Sequence, residues 1–98
     1  VESTPTTVSV EDKNITQVIE LKASPNPFSS ITKISIKNMP DNTDLTYQLT
    51  DVTGKLLMKE NVNANEIEIS GRDLQTGLYY FSVIHKSGIK TIPIELIK

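Results

Sequence analysis

The side chains able to do chemistry in this chain are few, and their spacing decides what they can do. Two carboxylate pairs stand close in sequence, Asp41 with Asp44 and Glu66 with Glu68. Paired carboxylates can divide general acid and general base work when their surroundings push their proton affinities apart. The first pair sits in the turn-like stretch "MPDNTDL", however, and the second alternates with Ile67 and Ile69, so both read as solvated charges. A calcium loop needs alternating Asp and Asn followed by a distant Glu, which "DNTD" does not supply. His85 is the only imidazole and cysteine is absent, so thiolate metal sites, histidine-rich zinc sites and His-dependent triads lack material. No serine stands in a Gly-x-Ser-x-Gly turn, and Gly54, Gly71, Gly77 and Gly88 are each isolated, so there is neither a nucleophile elbow nor a phosphate-cradling loop. The expectation is a protein that is not an enzyme and has no catalytic residue, metal or cofactor.

The elements that position these residues must fit in 98 residues, which is room for one domain and one real core. Ten basic against 12 acidic residues give a formal charge of -2, without the basic excess of a nucleic-acid binder. No stretch approaches the roughly 20 apolar residues of a membrane span, and no secretory leader opens the chain, so direct membrane insertion is not expected. Because residue 1 is Val rather than Met, the chain reads as a piece of a longer protein. Without cysteine, stability must come from core and sheet ladder rather than from cross-links.

Residues 1–17, "VESTPTTVSVEDKNITQ", are rich in Thr, Ser and acidic side chains, carry Pro5 and show no sustained period. They read as a flexible linker, and residues 18–98 as the folded domain. From Val18 onward the alternation has period two. Ile19, Leu21 and Ala23 share a face, as do Ile34 and Ile36; Leu45, Tyr47 and Leu49; Ile67 and Ile69; and Ile92, Ile94 and Leu96. With "KLLMKENV" and "GLYYFSVI" this makes seven candidate strands and no helix of useful length. The run "GLYYFSVI", apolar on both faces, reads as a central strand. Pro93 places the last strand at an edge, or turns its missing N–H outward. The fold class is therefore all-β, an immunoglobulin-like antiparallel β-sandwich of about seven strands, with Ile34, Ile36, Tyr47, Leu49, Ile69, Phe81, Val83, Ile92 and Ile94 largely inside.

Three turns have chemistry of their own. In "SPNPF", Pro25 and Pro27 flank Asn26, remove two backbone donors and make a stiff, extended bend after the first strand. In "DVTGKLL", Asp51 can accept amide hydrogen bonds while Gly54 takes a positive φ, closing a bulged hairpin that Lys55 leaves. In "DLQTGLYYFSV", Leu74, Gly77 and Tyr80 have the spacing of a tyrosine corner, with Tyr79 the competing hydroxyl. Gly54 and Gly77 are expected to need backbone angles unfavourable to other residues.

Taken together, "SPNPF", "YQLTDVTGKLL", "LQTGLYYFSVI" and "GIKTIPIELIK", in this order, resemble the C-terminal sorting domain of proteins exported by the type IX secretion system of Bacteroidota, the Por secretion system type A sorting domain. The resemblance covers nearly everything from Val18 to Lys98. Its motifs fall on Pro25, Asn26 and Pro27; on Asp51, Gly54 and Lys55; on Leu74, Gly77 and Tyr79; and on Lys90 and Lys98. The resemblance implies a cargo tag. Such cargo crosses the inner membrane with a separate signal peptide. The folded domain then engages shuttle proteins and the outer-membrane translocon. A sortase-like surface peptidase commonly cuts the preceding linker and joins the cargo to an anionic lipopolysaccharide. The implied destination is the surface or surroundings of a Gram-negative bacterium, reached through the periplasm and outer membrane. The rival reading is an immunoglobulin- or fibronectin-like adhesive or spacer module of an extracellular enzyme, with the same strands and the same lack of catalytic residues. The two differ in position, because a sorting domain must be the last domain of its precursor.

Overall fold

The computed structural model describes residues 19–39, 44–86 and 88–98. Seven strands follow one another: β1 (Glu20–Ser24), β2 (Ile31–Lys37), β3 (Thr46–Asp51), β4 (Leu56–Asn61), β5 (Glu66–Ser70), β6 (Gly77–His85) and β7 (Gly88–Leu96). They form two antiparallel sheets, ordered β1-β2-β5 and β4-β3-β6-β7, with no helix among the described residues. The expected linker, residues 1–17, lies outside the described residues, as does Asp41.

Alternation builds the core. On β2, Thr32, Ile34 and Ile36 point inward while Ile31, Lys33 and Lys37 are exposed; on β5, Ile67 and Ile69 are inside and Glu66 and Glu68 outside. From the facing sheet come Leu49, Tyr79, Phe81, Val83, Ile94 and Leu96, all buried. Tyr47 stacks on Phe81 with ring centroids 5.4 Å apart. Of the expected interior residues, Tyr47 and Ile92 are only half-buried, packed against the core from its rim. Ile92 lies on an edge strand, and Tyr47 pairs with Glu60 of the other edge strand. Burial and the Glu60 carboxylate hold the Tyr47 hydroxyl above the ordinary tyrosine range.

The run "GLYYFSVI" is the central strand expected, since β6 lies between β3 and β7. Its outer face is covered less than its apolar character suggests: Leu78 is exposed and Tyr80 and Ile84 are half-buried, because no further layer of the described residues packs there. Ser82 is buried on that face, its hydroxyl sharing a 2.8 Å hydrogen bond with that of Thr91 on the neighbouring strand.

The antiparallel order sorts every loop to one of two ends. One end holds the finishes of β1, β3, β5 and β7 and the starts of β2, β4 and β6; the other holds the reverse set, including Ile19, where the described chain enters β1. Nine residues in each of β6 and β7 separate the two ends by roughly 25 Å.

Candidate functional site

The proline bend carries the chain from one sheet to the other. β1 stops at Ser24, residues 25–27 turn, and Phe28 pairs in parallel with Leu96 on the outer edge of β7. Both peptide bonds that precede these prolines are cis. The Asn26 side chain takes the place of a missing peptide unit: its Nδ2 donates to the Pro93 carbonyl at 3.1 Å, and the Glu95 N–H donates to its Oδ1 at 3.0 Å. The Phe28 backbone continues the ladder, donating to the Glu95 carbonyl (2.9 Å) and accepting from the Ile97 N–H (2.8 Å). These contacts account for Pro93. Its carbonyl points out of the sheet edge toward Asn26, and a residue's N–H leaves the strand on the same side as its C=O, so the absent donor falls where no sheet strand needs it. The Thr32 hydroxyl, fully buried, donates to the Pro25 carbonyl at 2.6 Å and ties the bend to the core. Replacing Asn26 with Ala should cost about 1–3 kcal/mol, the usual worth of two hydrogen bonds. Amide hydrogen exchange should show the Glu95 N–H losing protection while Ile97 keeps its own.

The hairpin between β3 and β4 is organised by one carboxylate. Asp51 Oδ1 accepts from the Thr53 N–H (2.9 Å), the Thr53 hydroxyl (2.6 Å) and the Lys55 N–H (3.0 Å). Asp51 and Lys55 also exchange a backbone bond, Gly54 donates to the Asp51 carbonyl, and the ladder shifts register between Leu49 and Thr50. Gly54 sits at φ +89°, so Gly54→Val should lower stability by about 1–2 kcal/mol in a denaturation curve through backbone strain alone, since a Cβ would meet nothing within 4 Å. The Thr53 hydroxyl, above all, holds the Asp51 carboxyl below the ordinary aspartate range; desolvation opposes it, and the Lys55 and Thr53 amides and the Lys55 charge add to the lowering. A depressed value in the folded state stabilises above the unfolded-state value, near 3.9, and that contribution fades as pH falls through the lower folded-state value. Thermal melting between about pH 5 and pH 2 should therefore fall more steeply for the native chain than for Asp51→Asn, which cannot lose a charge.

The crossing from β5 to β6 holds the tyrosine corner, and Tyr79 forms it rather than Tyr80. The odd-numbered residues of β6 face the core, so Tyr79 is buried and its hydroxyl donates to the Gln75 carbonyl at 2.5 Å; Tyr80 lies on the outer face opposite Pro93. Leu74 packs half-buried against the core and donates its N–H to the Gly71 carbonyl. Gly77, at φ +158°, takes a backbone conformation that other residues rarely adopt, as expected of it, although a Cβ there would meet nothing within 4 Å.

The two lysines separate. Lys98 joins the corner, its N–H donating to Thr76 Oγ1 (3.1 Å) and its Nζ to the Arg72 carbonyl (3.2 Å). Lys90 lies on the inward row of β7, half-buried, toward the other end, where it lines a cleft with Glu20, Leu21, Lys22 and Lys37. All the other motif residues (Pro25, Asn26, Pro27, Asp51, Gly54, Lys55, Leu74, Gly77, Tyr79 and Lys98) gather at the end where β7 finishes. Asp51 faces Tyr79 across the ladder, which links hairpin to corner. Sequence reasoning missed Thr32, Arg72 and Gly71 at this end. The Gly71 amide donates to the Ser30 carbonyl, and a Cβ on it would lie 2.7 Å from Leu96 Cδ1 and 3.2 Å from the Phe28 ring. Its sequence signal, an isolated glycine in a turn, does not distinguish close packing from flexibility. Among the described residues no three His, Asp or Glu side chains converge on a metal-sized site, and His85 sits half-buried at the finish of β6.

The family model for the secretion system C-terminal sorting domain matches residues 22–95. No curated protein matches the chain significantly. Among solved structures, the chain is similar to the BSP domain of a biofilm associated protein, at 12% identity and TM-score 0.68 over 92% of this chain and 16% of that one. It is also similar to a DUF3244 family protein with an immunoglobulin-like β-sandwich fold from Bacteroides vulgatus, at 17% identity and TM-score 0.56 over 79% of this chain and 91% of that one. A third similar structure is dimeric latent PorU from Porphyromonas gingivalis, at 21% identity and TM-score 0.53 over 82% of this chain and 9% of that one. At these identities the three likenesses show the shared sandwich fold. The chain spans a small part of the biofilm protein and of PorU, and nearly the whole of the DUF3244 protein.

Proposed function

This chain belongs to the family of secretion system C-terminal sorting domains, of the type IX kind, and we propose that the end of the sandwich bearing its motifs is the surface that the export machinery reads. A type IX sorting domain is a signal for export to the cell surface or the extracellular space. In the proposed reading, residues 18–98 are the folded signal and residues 1–17 the linker to the cargo. Pro25, Asn26, Pro27, Asp51, Gly54, Lys55, Leu74, Gly77 and Tyr79 build the recognition surface rather than perform chemistry. Lys98 is presented on it; Lys90, at the other end, serves as an accessory charge. The partners are shuttle proteins and the outer-membrane translocon, met after passage through the periplasm. A sortase-like peptidase then cuts within residues 1–17 and attaches the released cargo to the surface.

The observation that carries this reading is polarity along the sandwich. Ile19 enters at one end, and the motifs gather at the other, roughly 25 Å away. Cargo joined upstream of Ile19 therefore leaves the motif end uncovered, as a signal read on a folded tag requires.

The test is a reporter preceded by a signal peptide and followed by residues 1–98, expressed in hosts with and without an intact type IX system. Surface or extracellular reporter only in the intact host is the expected result. Equal distribution in both hosts would return the domain to the spacer reading. Mass spectrometry of the released reporter should find its new terminus within residues 1–17, and an uncut fusion at the surface would remove the cleavage step.

A further inference from the structure

The motif end also holds a cleft that the motifs do not explain. It has a volume of about 360 Å³ and opens between the start of β2 and the turn after β5, with Ile31, Ser70, Arg72 and Lys98 in its wall and Gly71 beneath. Two cationic side chains stand on its rim and no Asp or Glu side chain lines it. The Arg72 N–H donates to Ser70 Oγ at 3.2 Å, and Arg72, an exposed residue, lines the cleft. Lys98 commits one ammonium hydrogen to the Arg72 carbonyl and has two left.

The surroundings are apolar. Six large hydrophobic side chains are exposed among the described residues, and five of them (Ile31, Val52, Leu56, Leu78 and Ile97) sit at this end, against Ile89 alone at the other. Single exposed hydrophobics are ordinary on a protein surface, but five at one end, with Ile31 in the wall of a cationic cleft, mark a contact surface. Ile31 is itself in the cleft wall and is 42% exposed, and Ile97, next to Lys98, is 49% exposed.

We infer that this cleft receives a carboxylate of a partner protein, an Asp or Glu side chain flanked by apolar residues. The carboxylate sits between the Arg72 guanidinium, whose planar fork suits two parallel hydrogen bonds, and the Lys98 ammonium. Its apolar neighbours cover Ile31 and Ile97 and remove water from the pair, which strengthens the attraction. A protein partner fits better than an anionic membrane: lipid surfaces are held by clusters of about 4–8 basic residues, whereas this cleft offers two in a chain of net charge -2. The inference rests on the sorting reading and specifies the chemistry of the receptor.

The test is charge reversal in the exported reporter carrying the whole chain. Arg72→Glu with Lys98→Glu should lower the exported fraction by about tenfold or more, as expected for loss of one desolvated charge pair. Lys59→Glu with Lys86→Glu, the same charge change at exposed positions outside both clefts, should leave export unchanged. All four side chains are exposed, so melting curves should match that of the native chain. If the first pair lowers the melting midpoint, Arg72→Gln with Lys98→Gln carries the test, and undiminished export of it overturns the inference. Equal loss from both reversed pairs also overturns it, since net charge would then be what is read. Sedimentation of the native chain, but not the Arg72→Glu/Lys98→Glu chain, with vesicles of anionic phospholipid would replace the protein partner by a lipid surface. A native chain that exports nothing fails the sorting reading, and the cleft falls with it. Native export matched by the first reversed pair fails the cleft alone.

Discussion

Phe28→Ala should cost about 3–5 kcal/mol, most of the stability a domain of this size can spare. The side chain is 2% exposed and belongs to the main core cluster although it lies between strands. Its ring fills the space beside Gly71, and its backbone makes the two hydrogen bonds that fasten the β1–β2 connection to β7. Truncation therefore opens a cavity under the only described backbone ladder joining the three-stranded sheet to the outer edge of the four-stranded one. Asn26→Ala removes hydrogen bonds beside the same ladder and leaves the ring in place, so it should cost less. Denaturant unfolding of both variants separates the effects. A Phe28→Ala loss below about 1 kcal/mol would mean that residues 25–28 lie loosely on β7, and that the fold is held elsewhere.

Most of the strands were legible because they have one wet face. Alternation in "ITKISIK" and "EIEIS" names the inward residues without reference to any other part of the chain, and the structure places Ile34, Ile36, Ile67 and Ile69 there. Period two reports the side a residue faces but not how deeply it is covered. Tyr47 and Ile92 are on the expected side and only half-covered because Ile92 lies on an edge strand and Tyr47 pairs with Glu60 of the other edge strand. The same limit explains the tyrosine corner. Both Tyr79 and Tyr80 lie within reach of the preceding loop in sequence, and only the phase of β6 against the core, with Phe81 and Val83 inside, selects Tyr79.

The candidate site was less legible than the fold, since its contacts join residues far apart in the chain. Asn26 meets Pro93 and Glu95 across 67 and 69 positions, and nothing in "SPNPF" names β7 as the partner. Prolines on either side announce that the strand must stop; they do not say what the asparagine between them will bind. By contrast, the Asp51 hairpin was readable in detail, since its acceptor and donors lie within four residues and local backbone geometry fixes them. Lys90 shows the converse: a charged side chain in the last strand suggests a presented charge, yet its parity with Ile92 and Ile94 turns it to the inward row.

Gly71 is where packing at the motif end has least slack. Adding even one carbon there would set it 2.7 Å from Leu96 Cδ1, 3.0 Å from Cδ2 and 3.2 Å from the Phe28 ring. Leu96 is fully buried and Phe28 nearly so, so neither can swing into solvent to make room. Gly71→Ala should therefore cost about 1–3 kcal/mol by overpacking, and Gly71→Val more, as its two methyls press on the same side chains. A glycine chosen only for turn flexibility predicts the reverse order of magnitude, a gain of a few tenths of a kcal/mol for alanine from a stiffer unfolded chain. A double-mutant cycle decides between them. Leu96→Ala alone leaves a cavity and should cost about 2–5 kcal/mol. In the combined Gly71→Ala/Leu96→Ala chain the new methyl enters that cavity, so the two losses should fall short of their sum by about 1 kcal/mol or more. Simple additivity in the denaturation curves would show that Gly71 and Leu96 do not press on each other. Since Leu96 lies two residues before Lys98 and next to the Phe28 bridge, the same crowding should move the strand end that presents the Arg72–Lys98 cleft, and export of a Gly71→Val reporter should fall below what its fraction folded allows.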